Sequence, residues 1–159
     1  MNDVLVGAAA GTLATVPMTI FWETMHERLP GEPPRPLPPR EVAEALAVKA
    51  GISRQLTEIQ IQWLSIALHF GYGAVTGAVF GVIAPRRIAE GVGAGMLFGL
   101  GVWTTSYLGW LPAAGVRQSP RYDVPARTAL IVASHLVWGA VAGLVLGMRS
   151  GRTNPVPRS

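Results

Sequence analysis

The sequence predicts an all-α fold, a polytopic membrane four-helix bundle built from two parallel helical-hairpin repeats. Half of the 159 residues are hydrophobic, only 14% are charged, and the charges lie almost entirely outside four apolar stretches. A membrane helix needs roughly 20 mainly apolar residues to cross ~30 Å of hydrocarbon, and each stretch meets that length. A histidine motif that occurs twice and glycines that recur at every fourth position indicate how the helices are arranged.

The four stretches are predicted to form one transmembrane domain over residues 1–150. They cover residues 4–25, 59–84, 88–111 and 128–148. Pro17 should kink the first helix, because proline removes a backbone hydrogen bond and crowds the preceding turn. Thr57 and Gln60 match a capping box that opens the second helix. Asp123 followed by Pro125 is a typical start for the fourth.

The predicted outer-face loop between the first two helices covers residues 29–56. It begins with a proline-rich segment, which should be extended and stiff. A short amphipathic helix over Glu41–Ala50 follows, and Gly51 should end it. Residues 151–159 are predicted to be a disordered tail.

The basic residues predict that both termini of the membrane protein lie in the cytoplasm. Arg86, Arg87 and Arg149 lie close to the helix ends on one side, and Lys/Arg near short loops sets orientation. The first residues lack a basic n-region, so the first stretch is interpreted as a span rather than a signal peptide. The net charge of +4 therefore reflects loop topology, and the predicted partner is the lipid bilayer, not nucleic acid.

A histidine motif, His-x-x-aromatic-Gly-Ala-Val-x-Gly-x-Val-x-Gly, occurs once in the second stretch and once in the fourth. Its two copies are His69, Tyr72, Gly73, Ala74, Val75, Gly77, Val79, Gly81 and His135, Trp138, Gly139, Ala140, Val141, Gly143, Val145, Gly147. The first and third stretches share a glycine and alanine pattern that begins at Gly7 and at Gly91. Two hairpins in the same orientation would be related by a pseudo-two-fold axis along the membrane normal.

Glycines at every fourth position form stripes that let helix backbones approach closely. The motif contributes Gly73, Gly77, Gly81, Gly139, Gly143 and Gly147. Inside a bilayer, van der Waals packing at such stripes replaces the missing hydrophobic drive. The stripes predict tight packing within one bundle, with a homodimer or a larger membrane complex as the alternative.

His69 and His135 are predicted to lie at one level of the membrane, each roughly 20 Å from the cytoplasmic boundary. An ionisable side chain in hydrocarbon is costly and usually faces a partner or a cavity. We therefore expect a polar pocket that opens towards the outer face, with both histidines at its floor. Its expected lining comprises Thr19, Glu23, Tyr72, Thr104, Thr105, Tyr107 and Trp138.

The chemistry of this pocket has several interpretations. Glu23 and His26 are three residues apart on one helix face, a spacing used in metal-carboxylate bundles. With His69 and His135 they offer three nitrogens and a carboxylate, which suits zinc, copper or iron. The histidine pair could instead ligate a haem, pass protons, or hydrogen-bond hydroxyl groups of neighbouring helices.

Catalytic signatures are missing from the sequence. It contains no G-x-S-x-G elbow, H-E-x-x-H, phosphate loop or dinucleotide fingerprint. The leading hypothesis is a non-enzymatic membrane protein that binds or passes a small cation, either a proton or a transition metal. The alternative is an assembly partner of another membrane protein, which would dock through the glycine faces and the proline-rich loop.

Several short segments resemble the YagU-type family of small bacterial inner-membrane proteins. They are Ser134-His135-Leu136-Val137-Trp138, His69-Phe70-Gly71-Tyr72-Gly73 and Pro17-Met18-Thr19. The resemblance implies a polytopic bacterial inner-membrane protein of undefined activity. It assigns no role to any residue.

Overall fold

The protein is all-helical in the computed structural model, which describes residues 2–29, 38–85 and 87–150. These described residues contain no strand. The described residues form six α-helices, namely α1 (Asp3–His26), α2 (Pro38–Lys49), α3 (Glu58–Ile83), α4 (Ile88–Trp103), α5 (Leu111–Ala113) and α6 (Pro125–Ser150). Short 3-10 turns cover Ser53–Gln55 and Pro120–Tyr122, and a π-helical segment covers Thr104–Trp110. Most of the predicted proline-rich segment and the predicted tail lie outside the described residues.

Three helices are long and apolar enough to cross a membrane. They are Asp3–His26, Glu58–Ile83 and Pro125–Arg149, with mean hydropathies of 1.8, 1.6 and 2.1. Their outward faces carry large apolar side chains such as Leu13 and Val79, while their inward positions include Ala10 and Gly77. A soluble protein rarely exposes a continuous apolar surface of this kind. The fold is that of a membrane protein.

The predicted span over residues 88–111 is not one uninterrupted α-helix. The α-helical part, α4, ends at Trp103 and continues as the wider turns of the π-helical segment. The Ser106 hydroxyl donates to the Val102 carbonyl at 2.7 Å, a back-bond that often bends helices. At Gly109 the backbone leaves helical geometry, with φ −106° and ψ −105°. The sequence pattern showed an apolar run but not this change of helical pitch.

Several predicted helix ends are confirmed. The Thr57 hydroxyl accepts from the Gln60 backbone N–H at 3.3 Å, and the Gln60 side chain accepts from the Thr57 N–H at 2.8 Å. α6 begins at Pro125, two residues after Asp123. The amphipathic helix ends at Lys49, and Gly51 has a φ of +72°, which a glycine adopts readily. This helix starts at Pro38, three residues earlier than the sequence predicts.

Two pairs of helices meet through glycines, α1 with α3 and α4 with α6. A Cβ built on Gly77 would lie 2.6 Å from the Gly11 Cα, and one built on Gly143 would lie 2.6 Å from the Gly91 carbonyl carbon. Such distances are far inside van der Waals contact, so the backbones touch. We call this part of the molecule the glycine-packed end; it comprises Gly7, Gly11, Gly77, Gly81, Gly91, Gly95 and Gly143.

The two helix pairs join where α1 packs against α6. The Trp138 indole N–H donates to the Gly11 carbonyl at 3.0 Å, and Trp138 belongs to an apolar core with Ala10, Ala14 and Phe80. At the end of the bundle far from Asp3 and Arg149, a second core contains Trp22, Tyr107, Leu111, Val116, Leu130 and Ile131. Residues of α2, including Leu46, pack on this second core. α2 therefore covers one end of the bundle.

Candidate functional site

A cavity of about 190 Å³ lies between α1, α3, α4 with its π-helical extension, α6 and the covering helix α2. We call it the histidine cavity, because His69 of α3 and His135 of α6 both line it. The other lining residues are Thr15, Met18, Thr19, Trp22, Pro38, Pro39, Val42, Leu46, Leu68, Tyr72, Gly73, Thr76, Val102, Ser106, Tyr107, Trp110, Leu111, Ile131, Ser134 and Trp138. The wall is mainly apolar and aromatic.

His69 reaches α1 through a hydrogen bond between its Nε2 and the Thr19 hydroxyl oxygen, 3.2 Å apart. The Thr19 hydroxyl already donates its hydrogen to the Thr15 carbonyl at 2.8 Å. Its oxygen therefore accepts from His69, so the hydrogen of this imidazole lies on Nε2. A neutral His69 keeps its acceptor lone pair on Nδ1.

In His135 the ring hydrogen lies on the other nitrogen, Nδ1. Its Nδ1 lies 2.8 Å from the Ile131 carbonyl oxygen, and a carbonyl can only accept. Nδ1 therefore donates, and a neutral ring keeps its acceptor lone pair on Nε2. The edge of the ring meets Tyr107, with centroids 5.7 Å apart and planes at 88°. Both cavity histidines are thus oriented by neighbouring groups, and each retains one lone-pair nitrogen.

All five Ser and Thr residues that line the cavity donate their hydroxyl hydrogen to a backbone carbonyl of their own helical segment. Each donates to the carbonyl four residues earlier, at 2.7–2.9 Å: Thr15, Thr19, Thr76, Ser106 and Ser134. Because the Ser106 hydrogen is committed, the Tyr72 hydroxyl donates to the Ser106 oxygen at 2.7 Å. The polar groups of the wall therefore present mainly acceptor lone pairs.

Trp22 is an exception among these polar groups. The side chain is buried, and its indole N–H has no hydrogen-bond partner among the described residues. An unsatisfied buried donor costs about 1–3 kcal/mol. Trp22 lines the cavity, but its indole nitrogen has almost no accessible surface, so the N–H is shielded from the open space of the cavity.

Helix α2 covers one side of the cavity and is held by a buried ion cluster. Pro38, Pro39, Val42 and Leu46 face the cavity from α2. Glu41 on the same helix accepts from Arg127 at 2.7 Å through one oxygen and from Arg117 at 2.6 Å through the other. Arg117 also bonds Asp123 at 2.5 Å. We call Glu41, Arg117, Asp123 and Arg127 the Glu41 cluster.

The Glu41 cluster is joined to the cavity wall by its cations. The Arg127 guanidinium lies 5.9 Å from the centre of the Trp22 ring, and that of Arg117 lies 5.2 Å from the centre of the Tyr107 ring. The side chain of Arg127 is 0% exposed and that of Arg117 only 7%. Removing one partner of such buried ions is costly, so the cluster fixes α2 over the cavity.

A second, exposed contact ties α2 to the start of α3. Arg40 bonds Glu58 at 2.5 Å and Glu44 at 2.7 Å. The hydrogen bonds that Arg40 donates to Glu58 and then to Glu44 raise the pKa of Arg40 above its ordinary value. Because these groups are in contact with solvent, the pair contributes little to stability.

Several residues predicted for the pocket lie elsewhere. Glu23, Thr104 and Thr105 are exposed and do not line the cavity. Their depth was derived by counting along each helix, which ignores the direction in which a side chain leaves the axis. On α4 and its π-helical extension, Val102, Ser106, Tyr107 and Trp110 line the cavity instead.

The predicted metal set is not assembled. His26 does not line the cavity and stacks on Trp22 with centroids 5.5 Å apart. Within the described residues, no group of three or more His, Cys, Asp or Glu side chains is placed to hold a metal ion. Of the four predicted ligands, the structure brings only His69 and His135 to one cavity.

The Glu41 cluster was missed by sequence reasoning. Arg127 follows directly after the start of an apolar helix, where a basic residue is easily assigned to the interface. Arg117 lies in the loop before α6 and Glu41 lies on α2, and nothing in their local sequence indicates that they meet. A charged residue near the start of a transmembrane helix was the one available signal, since such charges are usually paired.

A comparison with protein families matches residues 18–144 to a protein of unknown function, DUF1440. The chain belongs to the DUF1440 family. The match covers both cavity histidines and the whole Glu41 cluster. It does not carry the YagU name, so that finer resemblance stays a prediction. No curated protein and no solved structure matches the chain.

Proposed function

We propose that this DUF1440 protein is a non-enzymatic integral membrane protein that binds a small ligand in the histidine cavity. The observation that carries the proposal is that His69 and His135, from two separate helices, line one cavity that α2 covers on one side. Ligand sites are typically concave, mainly apolar and supplied with a few placed polar groups. The cavity has this character, and the ordered imidazoles supply the polar groups.

We infer four membrane crossings built from two hairpin repeats, with both termini in the cytoplasm of a bacterium. Matching glycines support the repeat: Gly7 and Gly11 approach α3 as Gly91 and Gly95 approach α6. Arg149 bonds Asp3 at 3.0 Å, so the two ends of the described bundle are adjacent. The third crossing would use α4 together with its π-helical extension. The cavity would then lie in the half of the inner membrane nearer the outer face, beneath α2.

The size of the cavity limits the ligand. At about 190 Å³ it is smaller than the pockets of ~300–1,000 Å³ that hold drug-sized molecules. A haem does not fit such a space. An engineered apolar cavity of ~150 Å³ holds benzene, so one ring with small substituents is the appropriate scale.

A transition-metal ion or a proton is the second candidate occupant. The observation that favours it is the pair of imidazole lone pairs, since neutral histidine nitrogen is a common metal ligand. Glu23 and His26 do not contribute, so the metal site would have two protein ligands. Most transition metals take four or more ligands, and we therefore rank this candidate below a small molecule.

An assembly role through the glycine faces is less well supported. The stripes of α1 and α3 pack on each other, as do those of α4 and α6. These faces are therefore occupied within one chain. Gly71 and Gly93 have no neighbour within 4 Å and remain available for contact with lipid or another protein.

The proposal is tested with 4-fluorotoluene, a small apolar probe, followed by ¹⁹F NMR on purified protein in nanodiscs. Val42→Trp fills the cavity from α2, and Val48→Trp adds the same bulk to the exposed face of that helix. We expect a protein-dependent bound signal in the wild type and in Val48→Trp that is lost in Val42→Trp. Equal signals in both variants would refute a ligand cavity, because partition into lipid affects both alike.

Metal analysis of the same preparation separates the two candidates. A metal-free, colourless protein supports the small-molecule ligand. About one equivalent of a transition metal per chain, lost in the double variant His69→Ala/His135→Ala, would instead assign the cavity to a metal.

A further inference from the structure

We infer that the ligand of the histidine cavity carries a hydroxyl group on a small, neutral, largely apolar body, as a phenol or a short alcohol does. The inference rests on the proposed function and adds the chemical class of the ligand. It follows from which polar atoms of the wall still lack a partner.

The cavity wall is rich in acceptors. The hydrogens of His69, His135 and the five Ser/Thr hydroxyls are all committed to Thr19, to Ile131 and to helix carbonyls. The two imidazole lone pairs remain. Because an acceptor requires a donor, a hydrocarbon, an ether or a ketone cannot satisfy them.

A hydroxyl group supplies the missing donor, because its hydrogen can bond to one of the two imidazole lone pairs. Its oxygen can in turn accept from the hydroxyl of Tyr107, which also lines the cavity. A bare metal ion offers no acceptor, so this combination distinguishes a hydroxyl from a metal.

The absence of charge among the described lining residues restricts the class of ligand further. Among the described residues that line the cavity, none is Asp or Glu and none is Lys or Arg. A buried ion without an opposite charge is strongly disfavoured. Neither an ammonium nor a carboxylate finds its counter-ion in this part of the wall, and a neutral ligand avoids that cost.

The body of the ligand is aromatic or short aliphatic. Trp22, Tyr107 and Trp138 contribute ring faces and edges to the cavity. Aromatic pairs gain roughly 0.5–1.5 kcal/mol beyond area burial, which favours a ring. A single substituted ring also matches the volume of about 190 Å³.

The test compares 4-fluorophenol, 4-fluoroanisole and 4-fluorotoluene by ¹⁹F NMR titration in nanodiscs, with Val42→Trp as the partition background. The anisole keeps the oxygen but has no donor. One net hydrogen bond corresponds to a preference of about three- to ten-fold. We expect the wild type to bind the phenol about ten-fold more tightly than the anisole, and the anisole no more tightly than the toluene.

His69→Phe and His135→Phe keep a ring of similar size but remove the lone pair. We expect the phenol preference to fall to about one in at least one of them, while 4-fluorotoluene still binds. His26→Phe is the control, since His26 does not line the cavity, and it should keep the preference.

The outcomes separate the inference from the function on which it rests. If none of the three probes binds in excess of Val42→Trp, the proposed cavity function fails. If all three bind equally, the cavity stands and the hydroxyl class is wrong. A phenol preference that survives in both histidine variants would also overturn the inference, because the imidazoles would not be the acceptors.

Discussion

The helices pack in opposite ways at the glycine-packed end and at the cavity end, by which we mean the part of the bundle around the histidine cavity. At the glycine-packed end Gly7, Gly11 and Gly77 let backbones touch, and no space remains between α1 and α3. At the cavity end Trp22, Tyr107 and residues of the π-helical segment line a cavity of about 190 Å³ between the helices.

This contrast has a physical cause. Small residues give close contact in a bilayer, where dispersion rather than water exclusion drives association. Large rings leave gaps unless their shapes interlock, and a covering helix must then exclude lipid. The comparison indicates that one end provides stability and the other provides space.

The largest effect is expected at the glycine-packed end. Gly77→Val places a branched side chain against the Gly11 backbone and should destabilise the fold by about 3 kcal/mol, the upper part of the range for overpacking. Steric-trapping measurements of unfolding in bicelles report the change. Gly71→Val on the same helix has no neighbour within 4 Å and should change stability by less than ~0.5 kcal/mol. Similar losses in both would contradict backbone contact between α1 and α3.

A smaller effect is expected where α2 is fixed over the cavity. Glu41→Ala removes the carboxylate that contacts both Arg117 and Arg127, and it should cost about 2 kcal/mol. Glu41 is partly exposed, which keeps this below the cost for a fully buried pair. Hydrogen exchange over α2 should rise with the loss.

The matched control for that change is Glu90→Ala, which breaks only the exposed pair with Arg87. It should alter stability by less than ~0.5 kcal/mol and leave exchange in α2 unchanged. If the backbone amides of α2 exchange equally fast in both variants and in the wild type, the Glu41 cluster does not hold α2 over the cavity.

The smallest effect is expected inside the π-helical segment. Ser106→Ala removes the acceptor of the Tyr72 hydroxyl and should cost about 1 kcal/mol. Thr104→Ala removes an equivalent back-bond, to Leu100, but on the exposed face, and should be near neutral. Thermal unfolding of the two variants in parallel checks the difference. Equal losses would mean that the cavity face and the lipid face of this segment are energetically alike.

Local features of the fold were predictable because they depend on neighbours in sequence. Thr57 and Gln60 form their capping box within four residues, and Gly51 ends a helix through its own backbone freedom. The glycine stripes likewise indicate which face of each helix lets a neighbouring backbone approach closely. Breaks in helical pitch were not predictable, since Gly109 lies in an apolar run like many others.

The candidate site was only partly predictable, for a geometric reason. Depth follows from residue number, and it predicted one level for His69 and His135, which both line the cavity. Rotation about the helix axis does not follow from depth, and therefore Thr104 and Glu23 were assigned to a cavity that they do not line. A side chain changes face by 100° with each residue, so an error of one position is large.

The sequence by itself determined that the chain forms apolar helices, where most of them begin and end, and which glycine faces allow backbones to meet. These properties are set by hydropathy, capping and side-chain size along a single helix. Only the tertiary structure decided that α2 covers a cavity and that Glu41 meets Arg117 and Arg127 from distant parts of the chain. Contacts of that kind depend on how separate helices are rotated and stacked, and local sequence does not encode that arrangement.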